Sequence, residues 1–269
     1  YKSLINNSLW SGSYITIGVF YEIIGPKLIW KLFNTETIGL IRFLDLILIL
    51  ITKILMIIMV LLISKLTRYD GILNKIFFIF SSIFLINLID YNSTPNLIEY
   101  REIPILITII LFIYSIQRKE LEFLIYPFLG IVSVLVYFWS IDRALIQNIF
   151  LILIFLYLLT NKKIIEIFYL LISITISWII VYLFLDNEFN YFIQNTISIL
   201  REATLLNGFV HPIPFTNDLF SSRATKTLLS IIFCCILSLR LFYRETHKTS
   251  EQKILFIASA AVSFLSYSY

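Results

Sequence analysis

Charge is what this chain has least of for its size. Asp, Glu, Lys and Arg make up 14% of its 269 residues, against 59% hydrophobic ones, and the mean hydropathy is +0.91. A soluble domain carries roughly 25% charged residues, so the composition excludes one. Glycine is scarce too, at 7 residues, which argues against transporters built on glycine-interrupted helices. The 2 cysteines, Cys234 and Cys235, are adjacent in one apolar run and read as small packed side chains, not as a disulfide framework. No glycine-rich phosphate loop, dinucleotide-binding motif or His/Cys metal spacing occurs, so no metal site is expected and no cofactor is named.

What the chain has instead is length without polarity. Eight apolar stretches lie near 38–63, 74–90, 103–117, 121–139, 147–160, 164–185, 226–243 and 253–269. A helix needs roughly 20 apolar residues to cross a bilayer, because lipid offers its backbone no hydrogen bonds. The stretches at 103–117 and 147–160 are short and are expected to extend into their flanks. The fold class expected is an all-α, polytopic transmembrane bundle occupying 38–269, with membrane lipids as its surroundings.

Loop charge orients the bundle. Lys65, Arg68 and Lys75, then Arg118 and Lys119, then Lys162 and Lys163, then Arg240, Arg244, Lys248 and Lys253 fall in alternate loops. Short basic loops stay in the cytoplasm. The opposite loops, 91–102, 140–146 and the long 186–225, are richer in acids and are read as exoplasmic. These basic loops account for the net charge of +4, and no nucleic-acid partner is implied.

Residues 1–37 are not a span: Lys27, Lys31, Asn34 and Glu36 interrupt the apolar residues around Gly25-Pro26. Trp10, Phe20, Tyr21, Trp30 and Phe33 among scattered polar groups suit exoplasmic helices lying in the membrane interface. The chain starts at Tyr1 and ends inside an apolar run, so it is expected to be a fragment preceded by one more span. Abundant Ile, Phe, Tyr, Asn and Lys suggest an AT-rich bacterial genome, and hence a bacterial inner membrane.

A family pattern follows from that first segment. Leu9-Trp10-Ser11-Gly12, Phe20-Tyr21-Glu22, Gly25-Pro26, Trp30-Lys31-Leu32-Phe33 and Ile41-Arg42-Phe43 resemble the first exoplasmic loop and second helix of GT-C glycosyltransferases, which include protein O-mannosyltransferases and aminoarabinose transferases. Tyr100-Arg101-Glu102-Ile103-Pro104 resembles the Arg-acid segment opening that superfamily's fourth helix. The resemblance covers residues 9–62 and, more loosely, 90–117; the later half is similar only in architecture. It implies sugar transfer from a polyprenyl-phosphate carrier to an exoplasmic acceptor. The family's principal acid would lie upstream of Tyr1, which leaves supporting residues here.

Such chemistry needs a carboxylate to take the acceptor's proton and cations to stabilise the departing phosphate. Glu22, Glu102 and Asp142 are the candidate catalytic acids, and Arg101, Arg143, His211 and Arg223 the candidate substrate-binding groups. Each has a plainer reading. Glu102 beside Pro104 suits a helix start, and Asp142-Arg143 suits a wet, tight loop. His211 stands just before two prolines, Pro212 and Pro214, in a solvated loop, and Arg223 with Lys226 suits a headgroup anchor. Arg42 and Asp45 are spaced to pair on one helical face, and Lys53 lies deeper in the same apolar stretch. A transporter would route its substrate or protons through Asp45 and Lys53. A non-enzymatic membrane scaffold would show exoplasmic charges that do not converge.

The charge pattern predicts which loops an impermeant reagent reaches. With Cys234 and Cys235 removed, Ser64→Cys and Asn161→Cys are expected to resist a maleimide applied from outside and to react once the membrane is opened. Labelling of either from outside would refute the topology.

Overall fold

The computed structural model describes residues 10, 15, 18–66, 100–206, 215, 225 and 232. Among them there is helix and turn and no strand. A π-helical turn, Phe20–Ile24, leads into α1 (Gly25–Phe33), and α2 follows (Ile38–Leu66). After a 3-10 turn at Tyr100–Glu102 come α3 (Ile103–Gln117), α4 (Glu122–Trp139), α5 (Ile141–Thr160), α6 (Ile164–Leu185) and α7 (Glu188–Leu206). The apolar stretches at 74–90, 226–243 and 253–269 lie outside the described residues, apart from Ile232.

Among the described residues four helical segments are long and apolar enough to cross a membrane: Tyr100–Gln117, Lys119–Trp139, Arg143–Thr160 and Ile164–Leu185. The chain is an integral membrane protein. Local chemistry sets the ends of its helices. Pro104, in the first turn of α3, lacks the N–H that would be unpaired there anyway. Asn34 closes α1 in the left-handed region at φ 51°. Ser140 is extended, at φ −159° and ψ 115°, and alone separates α4 from α5.

Two expected loops prove helical. The stretch at 147–160 begins six residues earlier, because Ile141, Ala144 and Ile146 are buried and continue the helical face of α5. Asp142 and Arg143 therefore stand on the first turn of a helix, not in a loop. The long segment 186–225 contains α7, whose Phe192, Asn195, Thr196 and Ile199 are buried on one face at spacings of three and four.

The centre of the bundle is a cluster from α3, α4, α5 and α6 in which Phe112, Tyr126, Leu129, Ile154 and Leu158 are fully buried. A second cluster joins Trp10, Ile15, Val19 and Ile23 to Val134, Val181, Leu185 and Phe192. That part of the first segment is thus packed into the bundle. By contrast, α1 leaves Leu28, Leu32 and Phe33 exposed. The least buried of the four candidate spans is α6.

Helices α4 and α6 pack the most intimately. A Cβ on Gly130 would lie 1.9 Å from Ser173 Oγ and 2.9 Å from the Leu170 carbonyl. The hydroxyls of Ser133 and Ser173 bond back to the carbonyls of Gly130 and Leu170, at 2.7 and 2.9 Å, so small residues let the backbones meet without stranding a polar group. Gly130→Ala is expected to destabilise the detergent-purified protein by about 1–3 kcal/mol, the usual range for overpacking. Adding Ser173→Ala should return part of the loss in a thermal-melting assay, whereas an unchanged melting point for Gly130→Ala alone would refute the contact.

Candidate functional site

One end of the bundle gathers charge. Glu102 ends the 3-10 turn before α3, and Arg143 lies on the first turn of α5. Arg143 Nε stands 2.7 Å from Glu102 Oε1, and the side chains are 19% and 20% exposed. The Nε–H is not aligned on that oxygen, so the contact is an ion pair rather than a well-formed hydrogen bond. With most of the surrounding water removed, such a pair is strongly felt, and loss of one partner leaves the other uncompensated.

Trp139 organises the same end. Its indole N–H donates to the Tyr100 carbonyl at 3.1 Å, immediately before Arg101 and Glu102. Phe20 stacks on its ring, with centroids 4.3 Å apart and planes 17° apart. A Cβ at Gly18 would lie 2.2 Å from the Trp139 carbonyl oxygen, so the first segment can lie against the end of α4 only because residue 18 is glycine. Glu22, partly buried on the π-turn, is held at this end through Phe20 and Trp139. Helix α2 contacts the Tyr100–Glu102 turn, and Asp45, on its second turn, buries one carboxylate oxygen. Lys53 is partly buried two turns further along.

The structure therefore brings Glu22, Arg101, Glu102 and Arg143 to one end of the bundle. The side chain of Asp142, and the whole of His211 and Arg223, lie outside the described residues. Two relevant residues were not singled out from the sequence. Trp139 is one, signalled only by an aromatic at a span end. Gln147 is the other: it is fully buried on α5 with neither amide atom hydrogen-bonded. Its signal was a polar residue four positions after Arg143, hence on the same helical face.

The opposite end carries a pair of another kind. Lys163, before α6, bonds Glu122 at the start of α4, with its ammonium 5.9 Å from the centre of the Tyr157 ring. Gln117 Nε2 donates to the Leu62 carbonyl at 3.0 Å and ties the ends of α2 and α3 together. Among the described residues no group of three or more His, Cys, Asp or Glu side chains is placed to hold a metal ion.

Compared with protein-family models, curated proteins and solved structures, the chain gives no match.

Proposed function

We propose that this chain is the membrane domain of a bacterial inner-membrane glycosyltransferase, with a GT-C-like bundle of eight spans. It would move a sugar from a polyprenyl-phosphate carrier to an exoplasmic acceptor. The observation that supports this reading is the half-buried Glu102–Arg143 pair with Arg101 beside it, at the end to which the acidic loops belong. Transfer of this kind needs both signs of charge around one reacting centre. The acceptor oxygen forms a bond to the sugar's anomeric carbon as the bond from that carbon to the phosphate oxygen breaks. The phosphate leaves with the electron pair, and the acceptor's proton passes to a carboxylate.

In this reading Glu102 takes the proton, while Arg101 and Arg143 neutralise the departing phosphate. Glu22 supplies a second acid at the same end. α1 lies in the membrane interface, with Leu28, Leu32 and Phe33 in the lipid and Lys27 and Lys31 reaching headgroups. His211 and Arg223, which lie outside the described residues, remain candidates for phosphate or acceptor contact from the 186–225 segment.

A second reading, a transporter, draws on the partly buried Lys53 in the middle of α2 and on Asp45. Mutation separates the two. The assay is transfer of labelled sugar from a polyprenyl-phosphate donor by the full-length protein in liposomes. Arg101→Ala is expected to lower transfer about 10- to 100-fold, the worth of one charge-assisted hydrogen bond. Arg101→Lys should recover only part, since lysine lacks the bidentate fork. Lys53→Met should leave turnover per folded molecule near the wild-type value. Wild-type transfer by Arg101→Ala would remove the residue from the site, and control of turnover by Lys53 and Asp45 would favour the transporter.

A further inference from the structure

The seam between α3 and α5 changes character along its length. At one end Arg143 faces Glu102 at 2.7 Å. Further in, Phe150 meets Phe112 edge-on, with ring centroids 6.1 Å apart. Gln147 stands between them, four residues after Arg143 and three before Phe150, on the face of α5 that both share. It is 0% exposed, and neither its amide nitrogen nor its amide oxygen has a hydrogen-bond partner. The amide nitrogen of its neighbour Asn148, by contrast, donates to the Ser133 carbonyl at 3.2 Å and the Ala144 carbonyl at 2.8 Å. An idle donor and an idle acceptor in a membrane helix cost stability, and leucine would fill much the same volume without that cost.

We propose that Gln147 is a binding residue whose amide receives a hydroxyl-bearing group, the sugar of the donor lipid, inserted beside the Glu102–Arg143 pair. The proposal rests on the transferase reading and names the group that reads the sugar. An amide presents an N–H and a carbonyl side by side. Hydroxyls on adjacent carbons match both, because each can donate and accept. An anion could use only the amide N–H and would leave the amide oxygen unpaired, so the phosphate is assigned to Arg101 and Arg143. Four helical residues separate Arg143 from Gln147, about 6 Å of rise, a length that one pyranose ring covers. The pair forms the end of the seam, so the sugar enters as Glu102 and Arg143 exchange each other for the acceptor and the phosphate.

The test uses purified full-length protein and two probes, a polyprenyl-phosphate hexose and the sugar-free polyprenyl phosphate, with thermal melting and lipid binding as readouts. Without lipid, Gln147→Leu should melt above the wild type. The wild type should bind the hexose lipid more tightly than the sugar-free one. In Gln147→Leu that preference should fall about tenfold, as loss of one or two neutral hydrogen bonds implies, while sugar-free binding stays within about twofold. Gln147→Met is the second variant should leucine fold poorly. A variant that keeps the wild-type preference overturns the proposal and marks Gln147 as a buried-water site. A wild type that binds both lipids equally also overturns it but leaves the phosphate reading standing. If neither lipid binds, both readings fall.

Discussion

Lipid is as apolar as leucine, so burying apolar side chains does not drive membrane helices together. Close backbone contact has to do it, and here that contact is made where Gly130 of α4 meets Ser173 and the Leu170 carbonyl of α6. The rest of the bundle is arranged around this pairing. At one end the starts of α4 and α6 are joined by Glu122 and Lys163. At the other, Val134 of α4 with Val181 and Leu185 of α6 form the wall against which Trp10, Val19 and Ile23 pack. A side chain at residue 130 would push the helices apart and loosen both ends at once.

The two ion pairs differ in what they connect. Glu122 and Lys163 join helices that the Gly130 contact already holds together. Glu102 and Arg143 bridge α3 and α5, which meet otherwise through the aromatic contacts of Phe112 with Phe150 and Tyr157. The first pair supplements an interface that is already tight. A pair that closes a thinner seam, with a fifth of each side chain still exposed, can open towards a ligand at the cost of one electrostatic contact, and a phosphate and a hydroxyl would replace that contact with two.

Much of the helical layout was legible because it is local. The stretches at 103–117, 121–139 and 164–185 are bounded by basic turns and by Pro104, and the helices end within a residue of those limits. That α5 would extend beyond 147 was expected; that it takes in Asp142 and Arg143 was not. Asp142 and Arg143 look like loop residues until Arg143 meets Glu102, 41 positions earlier. α7 was missed because half its surface is polar. Its apolar face becomes readable only against Trp10, whose backbone N–H donates to Glu188 at 2.8 Å across a separation of 178 residues. Arg101, Glu102 and Arg143 could be named from residue type and loop position, and Glu22 from the resemblance carried by the first segment. Trp139 and Gln147 could not, since an aromatic or an amide in an apolar run has no special meaning until its neighbours, or its lack of them, are known.

A polar site in such a bundle needs non-helical backbone nearby, and lipid tolerates that only where protein supplies the hydrogen bonds. Asn195 of α7 supplies them: its amide donates to the Ile15 carbonyl at 3.0 Å, and its oxygen accepts from the Ile15 N–H at 3.2 Å. With both backbone groups of Ile15 satisfied, Ile15 can be buried at the end of the bundle. Gly18 then reaches the end of α4, Phe20 lies over Trp139, and the turn bearing Glu22 comes to the end where Trp139 holds Tyr100. The placing of Glu22 thus draws on an uncharged side chain more than 170 positions away. Loss of Asn195 would strand two backbone groups and release the segment while leaving the Glu102–Arg143 pair intact, so the contribution of the first segment to the site is separable from that of the helices.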